Sequence, residues 1–156
     1  MKTSVIRLDN SYSVGIESID EQHKQLISMC NNLYLNCCKK DDISRDFFRQ
    51  GVASLVSFMR YHLFVEEQLL SRIAFPEFHD HKEEHRKAVE YVNGCLVYLD
   101  TGEEARFKKS IPKIRDCILR HITVSDRKYA NYIHAMNRYA PWHIKDTYLP
   151  VELFLG

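Results

Sequence analysis

The sequence predicts an all-α protein, an antiparallel up-down-up-down four-helix bundle with an N-terminal arm and a C-terminal extension. Glycine and proline are scarce, at five and four among 156 residues, so the chain has few points that would interrupt long helices. Apolar residues recur at alternating steps of three and four, the spacing of the buried face of a bundle helix. We assign residues 1–136 to one bundle domain with its arm and residues 137–156 to the extension.

Turn-forming residues place the first two helices. The first helix is predicted to begin near Ser18, because Ser18-Ile19-Asp20-Glu21 has the pattern of a capping box, and to end near Lys39. The second is predicted to run from about Ser44 to Ile73. The Phe75-Pro76 pair then ends it, since a residue before proline avoids the helical region.

The last two helices follow from weaker signals. The third is predicted to begin near Glu77 and to close at Thr101-Gly102, where glycine provides a C-terminal cap. The fourth begins between Glu103 and Ser110 and continues to about Met136. Pro112 is compatible with a first turn or with a kink, because its ring removes a backbone donor.

Charge and composition disfavour several classes of partner. The 22 lysines and arginines nearly balance the 21 acidic residues, which leaves no electrostatic basis for binding nucleic acid or an anionic membrane surface. The N-terminal stretch has no apolar block of secretory type. Five cysteines without a CxxC pair are typical of reduced thiols, so we expect a cytoplasmic location; they are Cys30, Cys37, Cys38, Cys95 and Cys117.

Each predicted helix carries polar residues on its buried face. These residues are His23 on the first helix, His62 and Glu66 on the second, His81 and His85 on the third, and His121 on the fourth. A single such histidine is most simply a core residue bonded to a carbonyl. Several of them buried beside a carboxylate would cost a marginally stable domain too much free energy, unless a bound metal compensates them. The up-down connectivity places them all at one end of the bundle.

The spacing of inward-facing residues on the fourth helix changes after His121. The next inward candidate is Asp126, five residues later, followed by Tyr129, Ile133 and Met136. A step of five residues turns about 140° in an α-helix, so Asp126 shares a site with His121 only if the helix is locally wound out. We therefore predict a π-bulge between them, a feature associated with functional sites.

The donor spacing favours a pair of metal ions. His62 and Glu66, like His81 and His85, lie one helical turn apart, which suits a grip on a single ion. The whole donor set is too large for one ion, and carboxylates can bridge two, so a bridged binuclear site fits best. Ferritin-like di-iron sites use Glu-x-x-His, which is not found on these buried faces.

Four motifs in order now resemble those of the bacterial hemerythrins. They are VGIESIDEQHK ending at Lys24, HLFVE at 62–66, FPEFHDHKEEH at 75–85 and HITVSDRKYA at 121–130. The resemblance covers about residues 5–135. It implies a centre of two iron ions with a bridging oxo or hydroxo group, and reversible binding of dioxygen for transport, storage or sensing.

Carried over position by position, the resemblance implies a role for each donor. His81, His85 and His121 would bind one iron, His23 and His62 the other, and Glu66 and Asp126 would bridge them. The second iron would then keep one open position for dioxygen. A dry pocket should surround that position, formed by residues one turn from the ligands, although each also fits ordinary core packing: Ile19, Ile27, Phe58, Met59, Ile118 and Ile122.

Two positions depart from the family pattern. Family members usually carry tryptophan where this chain has Cys117 and Leu8. A smaller Cys117 would widen the pocket. The extension holds Trp142, the only tryptophan, and its apolar content suggests packing on the bundle, on another copy in a homo-oligomer, or on a protein partner. We expect no ligands there, and surface or packing roles for His79, His134 and His143.

The leading interpretation is a binding protein for dioxygen, not an enzyme. An alternative is a di-iron enzyme that acts on peroxide or oxidises a small substrate, which would require the pocket to admit water and an acid. A third interpretation is an iron-handling or interaction module with loosely held iron.

Overall fold

The computed structural model describes residue 6, residues 9–38 and residues 44–139. The helices of these residues are α1 (Glu17–Cys37), α2 (Arg45–Arg72), α3 (Phe78–Gly94), α4 (Val97–Asp100), α5 (Glu104–Arg120) and α6 (Asp126–Tyr139), and a short 3-10 turn, Asn10–Tyr12, precedes them. A π-helical segment, His121–Ser125, joins α5 to α6. Most of the predicted extension, with Trp142 and His143, lies outside the described residues, as does Leu8.

The helices form the predicted four-helix bundle. Its four arms are α1, α2, α3 continued by α4, and α5 continued by the π-helical segment and α6. α1 packs against α2 and α5, and α3 packs against the same two helices from the opposite side. The described residues contain no strand, and none of their helices is long and apolar enough to cross a membrane.

The start of α1 corrects the predicted capping box. Ile16 occupies the N-cap position and Ser18 makes no capping bond. Instead the Asp20 carboxylate accepts hydrogen bonds from the Val14 backbone (2.7 Å) and the Ser13 hydroxyl (2.6 Å). The first turn of α1 therefore holds the N-terminal arm, the segment that precedes α1. The Asp20 side chain points back toward that segment and does not cap its own helix.

The α2 boundaries agree with the prediction at both ends. The Ser44 hydroxyl accepts a hydrogen bond from the Phe47 backbone (3.2 Å), which makes it an N-cap. At the other end Ala74 has a left-handed backbone, with φ of 49°, and the Phe75 N–H donates to the Leu70 carbonyl (3.0 Å). This turn terminates the helix before Pro76.

The predicted third helix is interrupted. It breaks at Cys95 and Leu96, between α3 and the short α4. Gly102 then ends α4 with φ of 76°, and the Glu103 N–H donates to the Tyr98 carbonyl (2.7 Å), as expected for a glycine cap. The apolar rhythm continues across the break, which is why the sequence did not reveal it.

Pro112 lies inside α5 and not in its first turn. A proline has no N–H, so it leaves the carbonyl four residues earlier without its helical donor. That carbonyl belongs to Lys108, and it accepts the Cys37 thiol at 3.4 Å from the end of α1. The proline is thus accommodated by a contact between two arms of the bundle.

The predicted π-bulge is confirmed. Residues His121–Ser125 are π-helical, and the Asp126 N–H donates to the His121 carbonyl, five residues earlier.

The apolar core of the described residues consists of two clusters. A larger cluster contains Leu55, Phe107 and Ile122, a smaller one contains Leu70, Phe75 and Ile133, and buried polar residues lie between the two.

Ala74→Gly should stabilise the protein. Glycine adopts the left-handed backbone without the cost that a Cβ imposes, so we expect the free energy of unfolding to rise by about 0.5–1 kcal/mol. The control is Ala53→Gly at an exposed interior position of α2, which should lower it by about 1 kcal/mol. Urea unfolding measures both, and equal destabilisation by the two changes would contradict the prediction.

Candidate metal centre

All of the predicted donor residues converge on one buried layer. The helices supply His23 from α1, His62 and Glu66 from α2, His81 and His85 from α3, His121 from the π-helical segment and Asp126 from α6. His121 retains 13% exposure of its side chain, and the others are buried. The π-helical segment makes this possible, because it turns Asp126 onto the face that His121 occupies.

The first donor group consists of Glu66, His81, His85 and His121, whose ligand atoms lie within 4.8 Å of one another. The Nε2 atoms of His85 and His121 are 3.0 Å apart. One oxygen of Glu66 lies 3.1 Å from His85 Nε2 and 3.6 Å from His81 Nε2. Three imidazole nitrogens and a carboxylate thus point at a common centre.

The second donor group consists of His23, His62, Glu66 and Asp126, again within 4.8 Å. Asp126 reaches both groups, with Oδ2 at 3.3 Å from His23 Nε2 and Oδ1 at 3.0 Å from His121 Nε2. Glu66 belongs to both groups as well. The two carboxylates therefore lie between two sets of histidines, an arrangement suited to two ions that share bridging ligands.

Outer partners fix the orientation of the histidine rings. The Tyr12 carbonyl lies 3.1 Å from His23 Nδ1, and the Gln22 side-chain oxygen lies 2.9 Å from His62 Nδ1. Glu67 binds His85 Nδ1 at 3.1 Å and also pairs with Lys82 at 2.9 Å. A ring that donates from Nδ1 keeps its Nε2 lone pair free to face the centre.

His121 has a partner of the same kind. Glu84 lies 3.5 Å from His121 Nδ1 and accepts the Ser125 hydroxyl, so the π-helical segment supports its own ligand. Sequence reasoning missed these outer residues, because Gln22, Glu67 and Glu84 lie next to donors in the chain but off the apolar rhythm. Adjacency to a donor was the only signal that could have indicated them.

The buried layer is incomplete without a further group. Seven buried side-chain atoms have no hydrogen-bond partner in the described part of the chain: His23 Nε2, His81 Nε2, both oxygens of Glu66, both oxygens of Asp126 and the Tyr129 hydroxyl. Buried polar atoms normally have partners, and each exception costs free energy. Six of these atoms are donors of the two groups, so bound cations fit the unsatisfied positions.

The titrating groups favour cation binding as well. Burial lowers the pKa of His62 to about 4, so its ring is neutral at neutral pH. Burial opposes ionisation of Glu66, but the close imidazoles of His81 and His85 outweigh it and hold the pKa of Glu66 well below its usual range. A neutral imidazole and an ionised carboxylate are the forms that bind metals.

The buried carboxylates change the pKa of His121. Burial disfavours its charged ring, yet the negative charge of Asp126, whose Oδ1 lies 3.0 Å from His121 Nε2, prevails and raises the pKa of His121 to about 9. A proton on this ring partly neutralises the buried acids. A metal ion would take over that role and displace the proton.

Tyr129 is a further member of the site. It is fully buried, and its ring packs edge-on against His81 at a centroid distance of 5.8 Å. Burial, and then the charges of Glu66 and Asp126, raise the pKa of Tyr129 well above its ordinary value, so the phenol keeps its proton. The sequence placed Tyr129 on the buried face but gave no sign that its hydroxyl would lie among the donors.

A small cavity of about 20 Å³ adjoins the donor layer, large enough for about one water molecule. The histidines His62, His85 and His121 lie in its wall. Its other lining residues are Leu26, Met59, Leu63, Ala88, Cys117, Ile118 and Ile122. The pocket predicted from the sequence thus includes four residues that line this cavity, namely Met59, Cys117, Ile118 and Ile122.

The other three predicted pocket residues lie elsewhere. Ile19 belongs to the smaller apolar cluster on the opposite side of the donor layer. Ile27 is buried in the larger cluster, and Phe58 packs half-buried against that cluster. A distance of one turn from a ligand fixes neither the side of the layer nor the helix face, which is why the spacing selected them. His79 and His134 are exposed, as predicted.

Comparison with known proteins gives consistent matches. Residues 14–133 match a family model described as the hemerythrin HHE cation binding domain. Proteins called hemerythrin-like protein from Naegleria gruberi and Naegleria fowleri are each 30% identical over 121 residues, which cover 78% of this chain and 87% of theirs. A bacteriohemerythrin of Stenotrophomonas maltophilia is 25% identical over 132 residues, covering 84% of each chain.

Glu67→Gln should weaken metal binding. The change removes the charge that holds His85 Nδ1, and loss of such an outer partner typically costs about 10–100-fold in metal affinity. Anaerobic titration with ferrous iron measures the affinity. Glu90→Gln is the matched control, because Glu90 carries the same charge and lines the same surface groove between α2 and α3, but it pairs only with the exposed Arg86 among the contacts described. Equal affinities for the two variants would contradict the prediction.

Proposed function

Because the chain belongs to the hemerythrin family, we propose that it binds two iron ions and uses them to bind dioxygen reversibly. The observation that carries this proposal is the pair of donor groups that share Glu66 and adjoin a small cavity. Its role would be to carry, store or sense dioxygen, without a chemical product.

The donor distances support one assignment of ligands. His81, His85 and His121 would bind the first ion, and His23 and His62 would bind the second. Glu66 and Asp126 bridge the two, since each carboxylate lies within reach of histidines from both sets. A bridging oxo or hydroxo group completes the proposed centre.

The donor count explains why a ligand can bind at one ion only. Three histidines, two carboxylates and the bridging group would fill six positions of the first ion, whereas the second, with two histidines, would keep one position open. Two ferrous ions held by these residues would supply reversible electron exchange with dioxygen. Of the three histidines in the wall of the cavity, His62 is a proposed ligand of the second ion, whereas His85 and His121 are proposed ligands of the first.

The chain's own residues make such binding reversible. Beyond the three histidines, the side chains that line the cavity are aliphatic or sulphur-containing. The one acidic group among them is the Cys117 thiol, and burial raises its pKa, which makes it a poor donor of a proton to a reduced ligand. The small volume leaves room for little besides the ligand itself. Exclusion of water and of spare protons is what separates reversible binding from irreversible oxidation of the metals.

The outer partners keep the donor set in place during binding. Tyr12, Gln22 and Glu67 hold three rings by Nδ1, so each Nε2 keeps its direction. Tyr129 presents its protonated hydroxyl beside Glu66, where it is able to donate to a bridging carboxylate. These groups position the ligands and do not take part in a reaction.

Iron loading tests the function directly. Purified protein is loaded with ferrous iron under anaerobic conditions, its metal is counted, and oxygen is admitted and removed repeatedly while the visible spectrum is recorded. We expect two irons per chain and spectra that alternate without decay. Sustained consumption of hydrogen peroxide would instead identify an enzyme, and fewer than two tightly held irons would contradict the binuclear centre.

His62→Ala and His121→Ala should each abolish the binuclear spectrum. Each change removes a ligand from one of the two ions, so the pair is no longer held together. His79→Ala is the control, since His79 is exposed on α3 and absent from both donor groups. Circular dichroism confirms that the variants are folded. An unchanged spectrum in either ligand variant would refute the assignment.

A further inference from the structure

The cavity beside the donor layer is close to solvent on one side. Its lining residues from α1 and α2 are buried, as are Ile118 and Ile122. The exceptions are Ala88, Cys117 and His121, which are half-buried. All three lie on α3 or on the arm formed by α5 and the π-helical segment, so the most exposed of the described lining residues lie on these two arms.

A second approach to the cavity is closed. A surface groove of about 600 Å³ between α2 and α3 shares Leu63 and His85 with the cavity wall. These two residues are only 7% and 2% exposed. His85 is further fixed by Glu67, which is itself paired with Lys82. The groove therefore ends at a wall of two buried side chains.

The meeting line of α3 and α5 has smaller side chains. Ala88 and Cys117 are the two shortest residues that line the cavity, and they come from the two facing arms. Tyr91, one turn beyond Ala88 on α3, is 40% exposed beside them. The two smallest side chains of the lining, a methyl group and a thiol, are thus also among its three half-buried ones.

We propose that small ligands reach the cavity between α3 and α5, and that Cys117 is the residue that sets the width of this opening. The identity of the natural ligand as dioxygen rests on the proposed function above. The opening itself depends only on the half-buried residues and the cavity. The cavity of about 20 Å³ has room for a molecule of two or three atoms, so we expect the gate to pass such ligands and to retard larger ones.

Thiol labelling of the full chain tests the opening without any metal. The protein is treated with methyl methanethiosulfonate, and each cysteine is followed by peptide mass spectrometry. We expect Cys117 to react more slowly than the exposed Cys38 but faster than Cys30 and Cys95, which are 3% and 2% exposed. If Cys117 were as protected as Cys30, the proposed opening would be wrong.

Ligand kinetics test the gate. Azide is mixed with the diferric protein before and after methanethiosulfonate treatment, and its association and dissociation are followed by stopped-flow absorbance. Narrowing a gate slows both rates by the same factor, about tenfold or more, and leaves the dissociation constant nearly unchanged. A changed dissociation constant with an unchanged association rate would refute a gating role. Reduction of the mixed disulfide should restore the original rates.

Two variants serve as controls. In Cys117→Ser the reagent should leave the azide rates as they were before treatment, which assigns the effect to this thiol among the five cysteines. Leu63→Ala opens the wall of the α2–α3 groove instead. Faster association in Leu63→Ala, together with no effect of modifying Cys117, would place the opening at the groove and overturn the proposal.

The experiment separates this inference from the proposed function. Thiol labelling judges the opening even in a chain that binds no iron. Azide kinetics judge the gate in a chain that holds iron but does not bind dioxygen reversibly. A failure of oxygen cycling with normal labelling and normal azide gating would refute the function and leave the opening supported.

Discussion

The two buried carboxylates are the constraint on which the rest of the structure depends. Glu66 and Asp126 have no exposure, and they lie among five imidazoles that divide the apolar core in two. Charges in such a place are tolerated only when opposite charge and hydrogen bonds surround them. The helix order, the local π winding and the outer partners all act to supply that surrounding. The buried charges of the site therefore cost the fold free energy, and the surrounding elements reduce that cost.

Much of this layer could be predicted because helical periodicity fixes which face a residue occupies. The rhythm of three and four identified His23, His62, Glu66, His81 and His85 as inward, and the structure buries all of them. The five-residue step after His121 predicted the π-helical segment, since no regular helix brings Asp126 onto the same face. In these positions a local pattern determines the geometry, and no knowledge of neighbours is needed.

Prediction failed where the outcome depends on contacts between elements. Ser18 has the sequence of a cap, but Asp20 is engaged by the N-terminal arm, a contact that a local motif does not encode. The break at Cys95 leaves the apolar rhythm intact and so gives no periodic signal. The outer partners Gln22 and Glu67 bind histidines on neighbouring helices, which requires the packing of the bundle to be known. The side of the donor layer on which Ile19 lies is likewise a tertiary property.

Hydrogen bonds connect the N-terminal arm to the donor layer and to the residues beside it. Its Tyr12 carbonyl receives the His23 ring, Asp20 holds its Val14 backbone, and the Arg127 guanidinium binds its Ser11 carbonyl from the turn that follows Asp126. Thermodynamic linkage makes this coupling reciprocal. A change that fixes the His23 ring more firmly also orders the N-terminal arm, and a change that detaches the arm allows the ring to move. The order of the segment before α1 and the orientation of His23 are therefore coupled.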